Sequence, residues 1–242
     1  MILLDLTLPT PEENLAMEEA LLEWCEAQSA EVLRLWESER HFVVLGAGSP
    51  SRTDVNRDGC LLHGVPVLRR CSGGGTVLQG PGCLNFTVVL DRARRPELDT
   101  IANTNEAVLS VIARALAACG MDDVAMKGYS DLTVQGWKFS GNAQRRRKQY
   151  VLFHGTVLHS MNLDLVAEVL GAPEKMPDYR EGREHLRFIR NIPVDPACAR
   201  REIASAWAAP TTPDNDATQW LLTRTTDLAT TRYRDSNWIW GI

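Results

Sequence analysis

A run of basic and small residues at positions 69–77 has the composition of a ligand-binding loop. Arg69 and Arg70 precede Cys71, Ser72 and the three glycines 73–75. Consecutive glycines cost backbone entropy on ordering, so their use between two predicted strands indicates close approach of the backbone to a ligand. This glycine ribbon, residues 73–75, would offer its N–H groups to an anion. Arginines bind carboxylate or phosphate through paired hydrogen bonds. The spacing fits neither the P-loop nor the dinucleotide-binding pattern, and an ordinary glycine-rich turn is the alternative.

A second segment with chemical potential covers residues 131–144. Lys138 lies in a predicted strand, shortly before the flexible pair Ser140-Gly141. A fixed ammonium there would stabilise negative charge developing on an acyl or phosphoryl oxygen. Asp131 would orient that ammonium or help to hold a metal ion. A solvated strand lysine with a surface salt bridge is the alternative.

A third segment, Phe153-His154-Gly155-Thr156, lies inside a strand pattern. A histidine before a glycine packs against a ligand or is a satisfied core histidine, and the sequence leaves both open. His159, five residues on, gives no metal-ligand spacing.

The hydrophobic pattern around these segments predicts one mixed α/β domain over residues 1–242. A capping box formed by Thr10 and Glu13 starts the first helix, and Gly120 suits the end of a second helix over about 99–119. After residue 173 the chain is polar and irregular, apart from a final helix near 216–228. Strands are predicted at 31–36, 42–45, 65–70, 84–90, 131–134, 137–139 and 150–158.

Composition excludes several classes of function. The 242 residues carry a net charge of −5, so no overall basic field attracts nucleic acid or an anionic membrane. No apolar run approaches the ~20 residues of a membrane span, and Asp5 comes too early for a signal peptide. We therefore expect a cytoplasmic protein. The six cysteines form no C-x-x-C pair and are expected to be reduced, mostly buried thiols.

A basic run, R-R-R-K at 145–148, falls at a predicted turn. It is either a solvated loop or a docking patch for an acidic protein domain.

In chain order these motifs resemble the lipoate–protein ligase A family, part of the wider group of biotin and lipoate ligases and octanoyltransferases. The resemblance rests on R-R-x-S-G-G-G-x-V, then G-x-L-N at 82–85, then D-L-x-x-x-G-x-K-x-S-G-x-A-Q, then H-G-T. It also includes a helix at 14–20 and the chain end at 237–241, so it covers nearly the whole chain.

The resemblance implies an α/β (α+β) fold like that of class II aminoacyl-tRNA synthetases and biotin–lipoate ligases, with a mixed sheet flanked by helices. It implies an enzyme that uses ATP and Mg²⁺ to convert lipoate, or octanoate, into an acyl-AMP. The acyl group would then pass to a lysine of a lipoyl domain in a 2-oxoacid dehydrogenase, or of the glycine-cleavage H protein.

Site residues are carried over by their match with the family's motifs. Lys138 matches the essential lysine, which contacts the acyl carbonyl and the adenylate phosphate, and is the expected catalytic residue. Asp131 is the expected protein contact to Mg²⁺ held with ATP. The expected substrate-binding residues are Arg70, Ser72, Gly73, Gly74, Gly75, Thr76, Asn85, Asp131, Ser140, Gly141, Ala143, His154, Gly155 and Thr156.

Two departures from the family pattern stand out. Residues 46–49 are G-A-G-S, where the family often has G-R-x-Q, so one cation near the ligand is missing. The chain also stops where many ligases begin a small accessory domain needed for adenylation. Three expectations follow from the resemblance. The protein needs a separate accessory polypeptide for adenylation, it only transfers a preformed adenylate, or it differs from both.

Three alternatives stay open at this point. An octanoyltransferase would move octanoate from acyl carrier protein through a cysteine thioester, but no cysteine lies between Gly120 and Lys138. A biotin–protein ligase has different lysine and glycine patterns. A non-catalytic lipoyl-binding protein would lose Lys138 or the glycine ribbon, and this chain has both.

Overall fold

The computed structural model describes residues 1–171 and 176–241. Its strands, in chain order, are β1 (Ile2–Asp5), β2 (Val32–Trp36), β3 (Phe42–Leu45), β4 (Val67–Arg69), β5 (Val77–Gln79), β6 (Cys83–Asp91), β7 (Val124–Lys127), β8 (Asp131–Val134), β9 (Trp137–Ser140), β10 (Asn142–Arg147) and β11 (Tyr150–Leu158). Its helices are α1 (Pro11–Gln28), α2 (Arg57–Leu62), α3 (Ile101–Ala117), α4 (Leu163–Val169), α5 (Pro196–Ala206), α6 (Asn215–Leu228) and α7 (Ser236–Trp240).

A five-stranded mixed sheet in the order β1-β2-β6-β11-β10 forms the centre of the fold. β1 and β2 are parallel, and the other neighbours are antiparallel. Successive side chains of β6 face opposite sides: Val89 packs with residues of α1 and α6, whereas Val88 packs with residues of α3 and α5. The predicted mixed sheet flanked by helices is confirmed.

The start of α1 follows the capping box predicted from the sequence. The Thr10 hydroxyl accepts from the Glu13 N–H at 3.3 Å, and the Glu13 carboxylate accepts from the Thr10 N–H at 3.1 Å. The apolar face of the helix is buried, but so are Glu18 and Glu19. α1 therefore also delivers two carboxylates to the interior, where each needs a partner.

Two small sheets position the segments singled out in the sequence. The sheet β4-β3-β5 holds both ends of the glycine ribbon, because the ribbon connects β4 to β5. The sheet β7-β8-β9 carries Lys138. The Lys138 N–H donates to the Phe188 carbonyl at 3.0 Å, and its carbonyl accepts from the Arg190 N–H at 2.8 Å. Backbone hydrogen bonds on this side thus fix the lysine to a segment fifty residues downstream.

Three sequence expectations are wrong. Residues 145–147 belong to β10 rather than to a turn, and Arg145 and Arg147 pair with carboxylates of α1, as in the contact of Arg145 with Glu19 at 3.3 Å. The stretch after residue 173, expected to be irregular, contains α5. Cys119 and Cys198 form a disulfide, whereas Cys25, Cys60, Cys71 and Cys83 are free and buried.

Strands β1, β5 and β7 and helix α2 escaped the sequence pattern, since each is short. Within residues 1–171 and 176–241, no helix combines the length and apolar character that a bilayer span requires.

Candidate active site

One cavity of about 890 Å³ brings the three predicted segments together. The glycine ribbon, Lys138 and His154 all contribute to its wall. Ser72 alone among the predicted site residues lies behind the wall, where it is buried and hydrogen-bonded to His154. The predicted residues that line the cavity are Arg70, Gly73, Gly74, Gly75, Thr76, Asn85, Asp131, Lys138, Ser140, Gly141, Ala143, His154, Gly155 and Thr156.

The glycine ribbon is held by its carbonyl groups. The Arg70 guanidinium donates to the carbonyls of Gly73 at 2.6 Å and Gly75 at 2.8 Å, and the Ser49 hydroxyl donates to that of Gly74 at 3.0 Å. In a trans peptide the N–H points opposite to the C=O. The N–H groups of residues 74–76 therefore point away from these donors, and none has a hydrogen-bonding partner among the residues described. This geometry suits an anion.

The two arginines before the ribbon use their donors differently from the ligand contacts expected. Arg70 is buried and also donates to the Ser72 hydroxyl at 3.0 Å. Burial lowers the pKa of Arg70 to about 10, so it stays cationic at neutral pH. Arg69 donates to the carbonyls of Gly46 and Ser49 at 2.7 and 2.9 Å. Both side chains therefore order the backbone around the cavity.

A buried hydrogen-bond chain lies beneath the ribbon. Ser72 Oγ is 2.6 Å from His154 Nε2, and His154 Nδ1 is 2.6 Å from a carboxylate oxygen of Glu18. The Thr87 hydroxyl donates to the other oxygen of Glu18 at 2.7 Å. Burial opposes ionisation of Glu18, but its contacts with His154, Arg34 and Thr87 prevail and lower its pKa. This series of hydrogen bonds connects α1, the start of the glycine ribbon and β11. Sequence reasoning missed Glu18, whose only signal was a charge next to the apolar face of α1.

Lys138 is held at its side chain as well as at its backbone. Its Nζ lies 2.8 Å from Asp131 Oδ1, and the Tyr179 hydroxyl donates to Asp131 Oδ2 at 2.6 Å. A Cβ on Gly141 would come within 3.3 Å of Lys138 Nζ, so a larger residue there would crowd the ammonium. The lysine remains 23% exposed, which leaves it accessible from the cavity.

The geometry does not favour Asp131 as a ligand of a dedicated metal site. Both of its carboxylate oxygens already accept from Lys138 and Tyr179. In the described ranges, no three His, Cys, Asp or Glu side chains form a group able to hold a metal ion. Mg²⁺ takes nearly octahedral oxygen coordination, usually with one or two free carboxylates besides phosphate oxygens.

Besides Glu18, several polar cavity residues escaped the sequence analysis, among them Asp54, His185 and Arg180. Asp54 accepts from the Thr76 hydroxyl at 2.8 Å. His185 Nε2 lies 3.1 Å from the Gly171 carbonyl, and burial lowers the pKa of His185, helped by the nearby cations Arg180 and Lys138. Arg180 is buried at the cavity wall.

Much of the remaining wall is apolar, and in the part of the chain that the structure describes the wall contains no cysteine. Burial raises the pKa of Cys71 to about 11 and also raises that of Cys83, so neither is an activated thiol. The site is thus suited to a long apolar ligand with an anionic or carbonyl end. Its apolar lining residues are Leu15, Val77, Leu78, Leu158, Met161, Val166, Leu170 and Ile189.

Most of the chain is similar to proteins of one family. Residues 10–191 match the lipoyl protein ligase A/B catalytic domain. A protein of Aeropyrum pernix provisionally named lipoate-protein ligase A is 35% identical over 62% of this chain and 54% of that relative. Lipoate–protein ligase 1 of Staphylococcus aureus is 31% identical over 66% of this chain and 46% of its own. The octanoyltransferase LipM of Oceanobacillus iheyensis is 26% identical over 74% and 71%. The chain spans about half the length of the first two relatives.

Solved structures share the fold along the whole chain. A bi-partite lipoate protein ligase of Thermoplasma acidophilum, described together with its E2 lipoyl domain, has a TM-score of 0.80 at 21% identity, over 99% of this chain and 96% of that one. A lipoate-protein ligase A bound with ATP has a TM-score of 0.79 at 22% identity, over 99% and 98%.

Proposed function

We propose that this chain, which belongs to the lipoyl protein ligase A/B catalytic domain family, is a lipoate–protein ligase. In this proposal it activates lipoate with ATP as lipoyl-AMP and transfers the lipoyl group to a lysine of a partner protein. The lipoyl domain of a 2-oxoacid dehydrogenase is the partner we favour, since the Thermoplasma ligase was described with such a domain. The glycine-cleavage H protein is the other candidate acceptor.

The proposal rests on three features that meet in one cavity: a cation, a ribbon of N–H groups without partners among the described residues, and an apolar wall. The apolar wall would hold the acyl chain. The ribbon and Lys138 would hold the negative charge that develops when the carboxyl group is activated and again when AMP leaves. Fixed donors are suited to this because they need no rearrangement as the charge forms.

The proposed reaction has two steps, activation of the carboxylate and transfer of the acyl group. The lipoate carboxylate attacks the α-phosphorus of ATP, and the bond to pyrophosphate breaks. The neutral ε-amine of the acceptor lysine then attacks the acyl carbonyl carbon, AMP leaves with the electron pair of the C–O bond, and one proton passes to solvent. Mg²⁺ would enter with the phosphates of ATP, since Asp131 is committed to Lys138 and Tyr179.

An octanoyltransferase is the second candidate, supported by the similarity to LipM. Transfer from an acyl carrier protein through a thioester needs an accessible cysteine of low pKa. Cys71 and Cys83 are buried with raised pKa, and Cys119 is in the disulfide. These features favour the adenylate route.

A non-catalytic lipoyl-binding protein would need the cavity but not its ammonium. Lys138→Met tests this because it keeps the length of the side chain. The ion pair with Asp131 is partly exposed, so its loss should cost less than about 1 kcal/mol of stability. We expect acyl transfer to fall at least about 100-fold while lipoate binding persists. Lys148→Met, which removes an exposed cation, is the matched control.

The decisive assay combines purified protein, ATP, Mg²⁺, lipoate and an apo lipoyl domain, and measures AMP release and the mass of the acceptor. Preformed lipoyl-AMP forms a second arm, and octanoyl acyl carrier protein a third. Modification only in the second arm would mean that adenylation needs a separate polypeptide. Modification only in the third would establish the octanoyltransferase. Lipoate binding without modification in any arm would establish the binding protein.

A further inference from the structure

Arg180 is a buried cation at the wall of the cavity without an anionic partner among the residues described. Only 6% of the residue is exposed. Its Nε donates to the Arg183 carbonyl at 2.7 Å, whereas its two terminal nitrogens have no protein acceptor in the described ranges. Asp131, the carboxylate that acts on it over a longer distance, is already bonded to Lys138 and Tyr179.

The hydrogen bonding of Arg180 differs from that of Arg70, the other buried arginine of the described cavity wall. The donors of Arg70 bind carbonyls of the glycine ribbon. Taking a cation out of water is costly unless an opposite charge or a full set of hydrogen bonds replaces the lost hydration. Arg180 has one backbone bond and faces a cavity. Its remaining donors therefore match an anionic ligand.

The neighbours of Arg180 place this anion beside the predicted catalytic lysine. The guanidinium carbon of Arg180 lies 4.8 Å from the centre of the Phe188 ring, and Lys138 Nζ lies 5.9 Å from the same point. The backbone hydrogen bond from Lys138 to Phe188 fixes the lysine relative to this ring. Both cations line the cavity, so one anion with several oxygens can approach both.

We propose that Arg180 binds phosphate oxygens of the nucleotide next to Lys138. The assignment rests on the proposed function for the identity of the nucleotide, but the anion site itself is independent of catalysis. The planar guanidinium can donate two parallel hydrogen bonds to a phosphate, which an ammonium cannot. Inorganic pyrophosphate contains the same chemical group without the nucleoside and is therefore the probe.

The test compares wild type with Arg180→Met, Arg180→Lys and the control Arg187→Met. Arg187 lies in the same segment and is exposed, so its replacement removes the same charge outside the cavity. Pyrophosphate and ATP binding are measured by calorimetry, octanoate binding serves as the second ligand, and thermal unfolding is followed with and without pyrophosphate. We expect Arg180→Met to lower the affinity for pyrophosphate at least about 10-fold and Arg187→Met to change it by no more than about 2-fold. The affinity of Arg180→Lys should lie between those of wild type and Arg180→Met.

Thermal unfolding separates a binding role from a structural one. If Arg180 only supports packing against Phe188, Arg180→Met should lower the Tm of the free protein and leave the shift caused by pyrophosphate intact. We expect the reverse, an unchanged or higher Tm and a lost shift, because an uncompensated buried charge has been removed. Octanoate affinity should not change.

The outcomes also distinguish the site from the proposed function. Pyrophosphate binding that depends on Arg180, in a protein that activates no acyl acid, would uphold the anion site and overturn the ligase. Equal pyrophosphate affinity in wild type and Arg180→Met, or no binding to the wild type, would overturn the site whatever the enzyme does.

Discussion

Replacing Arg70 by methionine should weaken acyl-acid binding far more than it weakens the fold. The guanidinium holds the carbonyls of Gly73 and Gly75 at 2.6 and 2.8 Å. A hydrogen bond from a charged donor contributes about 1.5–3 kcal/mol, so the two bonds stabilise the ordered ribbon by about 3–6 kcal/mol. Without them, ligand binding must order the glycines itself, at about 1–2 kcal/mol for each residue.

The loss should appear in affinity because the three glycines are exposed. Once released, their carbonyls can bond to water, so the free energy of unfolding should fall by only about 1–2 kcal/mol. An ordering cost of at least 3 kcal/mol corresponds to a dissociation constant raised by about 100-fold or more. Arg70→Lys keeps the charge but not the paired donors of the guanidinium. Its dissociation constant for the acyl acid should therefore lie between those of wild type and Arg70→Met.

Calorimetry with octanoate and lipoate measures this effect whether or not the protein turns over. Hydrogen exchange of the amides at 74–76 reports the order of the ribbon directly. Arg114→Met, on the exposed face of α3, is the control. The reasoning is refuted if Arg70→Met binds either acid within about 3-fold of wild type, or if exchange in the ribbon is unchanged.

Three further outcomes are expected. Denatured, unreduced protein should show four reactive thiols, and a count of six would contradict the disulfide. Cys198→Ser should lower the free energy of unfolding by about 4–5 kcal/mol, because the disulfide with Cys119 closes a 79-residue loop. Cys71, with a pKa of about 11, should be alkylated in the folded protein at pH 8 about 100-fold more slowly than an ordinary thiol, as peptide mapping can measure. Burial lowers the pKa of His185, so the folded state resists protonation of this imidazole. The stability that neutral His185 provides is therefore present above pH ~6.5 and is lost as the pH falls through the folded-state pKa. Urea unfolding of His185→Gln should therefore depend less on pH between about 7 and 5 than that of wild type, and equal slopes would exclude the effect.

Elements with strong local signals were predictable from the sequence. The capping box of Thr10 and Glu13 starts α1 as expected, and β3 has the predicted bounds because an apolar run ends there at a glycine. That the glycine ribbon, Lys138 and His154 line one cavity was expected from the resemblance to a known family, not from the local signals. Their roles in binding and catalysis stay predictions.

The errors lie where distant contacts outweigh local composition. Three consecutive arginines favour a solvated turn, but in β10 Arg145 and Arg147 face carboxylates of α1, whereas Arg146 donates to Thr104 on the other side of the sheet. The turn comes only at Lys148. The disulfide joins cysteines 79 residues apart, and spacing alone cannot reveal such a pair. Arg180 and His185 were missed for the same reason, since only the pairing of residue 138 with 188–190 brings their segment to the cavity.

Residues 46–49 pack closely against the glycine ribbon. A Cβ on Gly46 would collide with the Gly74 carbonyl, and the Ser49 hydroxyl donates to that same carbonyl. The Ala47 N–H donates to the Ser72 carbonyl at 2.7 Å. This segment therefore supports the ribbon from behind by direct backbone contact. Of the two buried arginines in the described cavity wall, Arg70 uses its donors on the ribbon, so Arg180 is the one with terminal donors left for a bound phosphate.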